Sequence, residues 1–336
     1  MTASIVSSEA RAASRLGARM WTPVRKNLGA QTVGLLVALV VEVVFFSVRS
    51  PYFLDTTNFA NIGRAMTIVG IAAVGQTIVI IAGGFDLSVG SVMAASGMLA
   101  AFLVNSGQPP VVGFASAVLL GLAIGTVNGT LVARLRINPL IATLAMLSVI
   151  RGLAFVISGG DAIVVSNSGF LGIGTGSIAG IPTVVVPLVL IYLIVGFLMP
   201  RTRFGRYTYA IGSNPRSSRL AGVNVRSWLL VFYGLCGVLA AVSGFITVAR
   251  TGQAEPSSNT GAELDVITAV ILGGTSLSGG RGRLLGTFLA LAVLAILANG
   301  LVLIGVASYW QLVVKGGVLI GAVIWGELRE SSRDKT

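Results

Sequence analysis

Ten apolar stretches, most of them about as long as a bilayer is thick, follow one another along this chain with polar breaks between them. Lipid offers no partner to a free N–H or C=O, so a segment of this kind has to close its own backbone hydrogen bonds as a helix of about 20 residues. The rest of the composition leaves no rival. Hydrophobic residues fill 54% of the 336 positions and charged residues 10%, whereas soluble domains carry about 25% charge. The sequence therefore predicts an all-α polytopic membrane protein with about ten transmembrane helices. The expected spans are 30–48, 62–82, 87–104, 111–133, 140–157, 183–199, 228–248, 264–277, 284–304 and 309–325. Residues 1–29 read as a basic N-terminal tail, 30–327 as the permeation domain and 328–336 as a C-terminal tail. The first apolar run has no small-residue cleavage site after it, so it reads as an uncleaved span.

Charge gives the orientation. Eighteen of the 23 Lys and Arg residues fall in five clusters: the N-terminal tail, Arg134 with Arg136, six arginines between Arg201 and Arg226, Arg281 with Arg283, and the C-terminal tail. Counting spans from a cytoplasmic N-terminus puts all five clusters on the cytoplasmic side, as the positive-inside rule requires. Both termini are then cytoplasmic, and the chain sits as a multi-pass protein in an inner (plasma) membrane. The net charge of +12 does not point to nucleic acid, because no nucleic-acid-binding fold signature accompanies the basic loops. With no histidine, one cysteine and 11 acids, neither a metal cluster nor a His-based triad can be assembled. Cys236, alone inside an apolar stretch, reads as a buried packing residue and cannot form an intramolecular disulfide.

Two glycine-rich breaks echo each other. Gly83-Gly84-Phe85-Asp86-Leu87-Ser88-Val89-Gly90 aligns with Gly273-Gly274-Thr275-Ser276-Leu277-Ser278-Gly279-Gly280 at an offset of about 190, and each lies between apolar runs. Paired, Gly-interrupted segments in two halves of a chain point to a transporter's pathway. The break at residues 200–227 is the longest on the basic side. There Asn214 is placed to cap a short helix with Pro215 at its first position. That helix would carry Arg219, Leu220 and Ala221 and stop at Gly222. Charges inside spans mark the other candidates, since each is costly in lipid without a partner or a watery cavity. Lys315 needs an acid, either Asp265 or Glu263. Arg151 and Glu42 face the same difficulty, while Asp86 beside Ser88 reads either as an interfacial group or as a lining of the passage. Gln76, Asn128, Thr143, Ser148, Asn299 and Gln311 are further polar groups in or near spans, suited either to a neutral solute or to interhelical hydrogen bonds.

Several ordered motifs carry a resemblance. Residues 83–91, Gly-Gly-Phe-Asp-Leu-Ser-Val-Gly-Ser, are similar to the GG-x-DLSVGS signature of the membrane subunits of bacterial ribose-type sugar ATP-binding-cassette (ABC) importers. The stretches 138–144 with 150–154, 202–214 and 261–277 resemble further motifs of that family in the same order, and Tyr309-Trp310-Gln311 and Lys315 follow. Phe85, Pro215-Arg216 and the basic N-terminal tail depart from it. The resemblance implies a vitamin B12-importer-like (type II) permease with an internal pseudo-repeat and no cofactor of its own. ATP-Mg would be bound by a separate cytoplasmic ABC ATPase, a second permease subunit would complete the channel, and a periplasmic sugar-binding protein would deliver a monosaccharide. Consistent with this, the chain has no G-x-x-x-x-G-K-[ST] phosphate loop. In the same resemblance, Gly205, Arg206, Gly212, Asn214, Pro215, Arg219, Leu220, Ala221 and Gly222 form the ATPase-coupling loop. Asp86, Ser88, Arg151, Glu263, Asp265, Gln311 and Lys315 are path or structural polar residues. A branched-chain amino-acid permease and an ion-coupled secondary transporter are the alternatives.

Overall fold

A computed structural model describes residues 22–334. It is an all-helical, polytopic membrane protein. The long helices are α1 (Thr22–Arg49), α2 (Thr56–Ile81), α3 (Val89–Asn105), α4 (Pro110–Ala133), α5 (Pro139–Ser158), α7 (Val185–Arg201), α10 (Val225–Thr251), α12 (Leu284–Leu303) and α13 (Ser308–Asp334). Shorter ones are α6 (Ser168–Thr175), α8 (Arg203–Ser213), α9 (Pro215–Leu220) and α11 (Ala262–Leu272). Among the described residues six helices are long and apolar enough to cross a membrane, and a bent α7–α8 pair makes a seventh. Each of the remaining apolar stretches (α3, α11 and α13) also holds a helix, the first two shorter than a full span. The first helix starts at Thr22, inside the stretch read as a tail; residues 1–21, with most of the N-terminal basic cluster, and 335–336 lie outside the described residues.

Helix boundaries follow local chemistry. Asp55 caps α2 by accepting the Thr57 N–H at 2.9 Å, which holds its carboxyl below the usual carboxylate range. Asn138 caps α5, with Oδ1 accepting the Leu140 N–H at 2.9 Å and Pro139 following at the first helical position. Pro200 lacks the N–H that would close the last turn of α7, and two residues later the chain bends by 71° into α8.

The centre of the bundle is built from α2 and α10, the most enclosed of the long spans. Small residues bring helices together here. A Cβ at Gly121 would collide with the Gly237 carbonyl, one at Gly125 with the Tyr233 carbonyl, and one at Gly129 would press on Leu230 Cα. This G-x-x-x-G-x-x-x-G stripe lets α4 lie against α10 at backbone distance, where lipid gives no hydrophobic drive and dispersion has to hold the pair. Apolar side chains of α1, α4, α5 and α7 point outward, as surfaces facing lipid or other spans do.

The segment between the expected spans 140–157 and 183–199 is ordered. It contains α6, a two-stranded hairpin (β2, Ser177–Ile178, with β3, Ile181–Pro182), and a short strand β1 (Ile163–Val164). β1 pairs antiparallel with β4 (Gln253–Ala254), Ile163 opposite Ala254. Phe170 of α6 stacks edge-on against Phe245 of α10 with ring centroids 5.0 Å apart.

Candidate coupling junction and buried polar sites

The longest basic loop folds as two helices, not one. Asn214 caps α9, with Oδ1 accepting the Arg216 and Ser217 N–H groups at 3.0 and 2.9 Å. Pro215 is the first helical residue, and Ala221 with Gly222 (φ +82°) ends the helix. Leu220 projects with 91% exposure while Ser218 is buried beneath it. Gly205 lets α8 turn tightly against Met199, whose carbonyl a Cβ would strike. Arg206 and Ala221 are exposed at the surface of this element. The sequence reading missed α8 as a helix. Its signal was there: Phe204, Thr208 and Ile211 recur at helical spacing and form the inner face. Phe204 and Tyr207 pack this face on Trp228 and, in the case of Phe204, also Phe232 of α10.

The far end of α8 enters a junction of three backbones. Gly212 lies so close to the Ile81 carbonyl and the Gly280 N–H that a Cβ has no room. The Gly280 N–H itself donates to Ile81 O at 2.7 Å, and Tyr209 OH donates to Gly282 O at 3.0 Å. Both glycine-rich breaks therefore meet the end of α8. They also close their helices alike. Ala82 and Gly273 donate to the carbonyl four residues back, the left-handed Gly83 and Gly274 to the one three back, and Gly84 and Thr275 to the one five back. The structural echo thus runs at an offset of 191, one residue from the sequence alignment.

Asp86 is 1% exposed. Its Oδ1 accepts the Ser88 N–H at 2.9 Å and the Ser88 hydroxyl at 2.6 Å, and Asn128 Nδ2 approaches both carboxylate oxygens at 3.3 Å. The neighbouring backbone is held as well: Leu87 N–H donates to Thr143 Oγ1 at 3.0 Å, and the Tyr233 hydroxyl bonds both polar groups of Phe85. Asp86 and Ser88 thus tie the start of α3 to α4 through Asn128, while the Leu87 N–H ties it to Thr143 of α5. Tyr233 was not picked out in the sequence; a tyrosine within an apolar span was the available sign, because its hydroxyl needs a partner there.

A second site gathers around Arg151. One guanidinium nitrogen donates to the Pro256 and Ser258 carbonyls, both at 2.7 Å. Arg151, about two turns before the end of α5 at Ser158, thus ties that helix to the connection 252–261. Glu263 is close enough to act on Arg151 electrostatically, and its Oε1 accepts the Gly261 N–H at 3.2 Å. The other carboxylate oxygen is buried against Gly90 with no partner among the described residues. The starts of α3 and α11 thus come together. Two residues further along α11, Asp265 Oδ2 accepts from Lys315 Nζ at 2.8 Å, and of the two acids considered for Lys315 it is the one in reach. Gln311 bonds the Val306 carbonyl at 2.8 Å, securing the start of α13.

A fold of membrane-crossing helices, a capped surface helix tied into paired glycine breaks, and charges held within the spans define a transport permease. The family model described as the permease component of branched-chain amino acid transport systems matches residues 58–323. The chain is 42% identical over 296 residues to the ribose import permease protein RbsC of Escherichia coli K12, covering 86% of this chain and 91% of the relative. The ribose import permease of Bacillus subtilis is 41% identical over 296 residues, covering 88% and 92%. An L-arabinose ABC transporter permease, AraH of Azospirillum brasilense, is 35% identical over 300 residues, covering 89% and 88%. No solved structure gives a significant match. The chain belongs to this family of ABC-importer permeases.

Proposed function

We propose that this chain forms the translocation pathway of an ABC importer for a monosaccharide, a pentose or hexose delivered by a periplasmic binding protein. A separate cytoplasmic ATPase binding ATP-Mg drives it, and the chain contributes no catalytic group. The observation that carries this reading is the lodging of α8 between the two glycine breaks. A partner pushing on α9 acts on the ends of α2 and α11 together, which is a rigid-body route from a soluble motor to the spans. Likeness to ribose and arabinose permeases supports sugar over branched-chain amino acids. In this reading the chain has ten spans in a vitamin B12-importer-like arrangement, with α3 and α11 as partial crossings. Both termini and the basic loops face the cytoplasm of a bacterial inner membrane. The permeation unit runs over 30–327, with cytoplasmic tails at 1–29 and 328–336. Lys315 and Asp265 keep 41% and 33% of their side-chain surface open; ionised groups within spans face the bundle interior or a watery cavity in preference to lipid, so this face lines the path or a second permease subunit. An ion-coupled carrier is disfavoured by the likeness to ribose and L-arabinose permeases of ABC systems.

The test is uptake into proteoliposomes. Labelled ribose or arabinose should accumulate only when ATP, the ATPase and a sugar-loaded binding protein are all present. Accumulation of sugar under an imposed proton or sodium gradient without nucleotide would overturn the reading, and so would ATP-driven uptake of leucine in place of sugar.

A further inference from the structure

A cavity of about 340 Å³ opens between α9 and the ends of α4 and α10. Arg136, Arg219 and Arg226 line it, over a floor that includes Val132, Val225 and Leu229. Among the described residues none of the three guanidiniums is ion-paired. From residue 87 to 160 and from 162 to 254 the sequence has no Asp or Glu, so the eight arginines of these two loops have no acid in their own stretch of chain. Among the described residues the one ion pair is Lys315 with Asp265. Of the three, Arg219 has its Nε hydrogen-bonded to the Pro215 carbonyl at 3.2 Å, which fixes it at the edge of the cavity.

The backbone at Arg136 adds an independent observation. Arg136 adopts a left-handed conformation, φ +59°, at the end of α4, between N–H bonds from Leu135 to Thr130 O and from Ile137 to Leu131 O. Helix ends use glycine at such a position, as α9 does with Gly222. An arginine there keeps a conformation that L residues rarely adopt, and strain of this kind is retained where the side chain has a task. On either side of it, Leu135 is 63% and Ile137 37% exposed. The site thus presents three cations, two at the ends of spanning helices and one on α9, with an apolar floor and an apolar flank. A soluble anion needs only the first of these; an amphiphile uses all of them.

We infer that this cleft binds the phosphodiester headgroup of an anionic phospholipid from the leaflet on the α9 side, with the glycerol and first acyl carbons against Leu135 and Ile137. Basic pockets between helices on the cytoplasmic side are suited to such headgroups. The bound lipid bridges α9 to α4 and α10, so it steadies the surface helix from its inner side. Leu220 lies outside the cavity and remains free for a protein partner.

The experiment uses the purified full chain in detergent, titrated with phosphatidylglycerol or phosphatidylcholine and read by native mass spectrometry, with thermal unfolding in parallel. Wild type should retain phosphatidylglycerol over phosphatidylcholine. Arg136→Gly, which relieves the backbone, should bind it about fivefold more weakly with undiminished thermal stability, and Arg136→Gln/Arg219→Gln/Arg226→Gln more than tenfold more weakly. Equal retention of the two lipids by wild type, or unchanged affinity in both variants, overturns the inference. Complete competition by millimolar glycerol phosphate would make this a free-phosphate site. Loss of ATPase attachment by Arg136→Gly with lipid retention intact would make it a protein-docking site. Either result also overturns it.

Discussion

At the scale of single residues, buried polar groups act mainly by organising the chain around themselves. Asp86 receives donors from Ser88 and Asn128 within a site closed to solvent. Replacing it by alanine strands these donors, at a penalty of about 1–3 kcal/mol for each buried group left unpaired, whereas asparagine keeps an acceptor in the same place. Asp86→Ala should therefore unfold several degrees below wild type in detergent and Asp86→Asn much closer to it; matching curves for all three would remove this tying role. Arg151 is a sharper case because one nitrogen serves two carbonyls 105 and 107 residues away. Lysine preserves the charge but not the planar donor geometry. Arg151→Lys should leave the protein assembled, yet expose the connection 252–261 to limited proteolysis roughly tenfold faster than wild type. An unchanged cleavage rate would mean that the connection is held by something else. The partners of Arg151 were not legible in the sequence: a charge in a span announces that it needs a partner, but backbone carbonyls carry no residue-type signal that could identify them. Ser88 and Asn128, by contrast, stood among the polar candidates, without Asn128 being assigned to Asp86.

Elements were read more successfully than contacts, and the reason is physical. Hydropathy registers whether a segment avoids water, so each of the ten apolar stretches holds a helix, though the ends differ from those expected by up to eight or nine residues, at Thr22 of the first and Asp334 of the last. It does not register depth. The stretch read as 264–277 ends as a helix at Leu272, and α3 starts only at Val89, because left-handed glycines stop the preceding helices and buried polar loops take over. The Asn214 cap and Pro215 start were visible from residue types alone, since capping is local chemistry. Helix α8 was hidden because its other face is basic and polar, and only its 3–4 spacing distinguished it from a loop. Packing between elements depends on which glycines face a neighbour, which composition does not tell. Gly125 touches α10 backbone, whereas Gly34, also in a span, has nothing within 4 Å of the place a Cβ would take. Gly125→Ala should therefore cost about 1–3 kcal/mol through overpacking, while Gly34→Ala should be neutral or slightly stabilising. Thermal unfolding of the two variants side by side checks this, and equal effects would show that the α4–α10 stripe is not tightly closed.

On the scale of the whole molecule, the question is how a push at the surface reaches the interior of the membrane. Continuous side-chain packing would spread the push, but at Gly212 the contact is backbone on backbone. The end of α8 bears on Ile81 of one glycine break and Gly280 of the other, and these two residues are themselves hydrogen-bonded. The short helix that follows directly, α9, carries exposed Leu220, open to a soluble partner. Displacing α8 must therefore move both breaks or sever it from them. Gly212→Ala separates these outcomes, because its methyl group forces α8 away from the junction without touching the exposed face of α9. The variant should still bind the ATPase with affinity close to wild type, while ATP-driven sugar uptake falls by more than tenfold and ATP hydrolysis no longer responds to the loaded binding protein. Wild-type uptake by Gly212→Ala would mean that force travels instead through the aromatic contacts of Phe204 and Tyr207 with α10. Loss of ATPase binding would place the effect at the surface, leaving the junction a packing feature and no part of the drive.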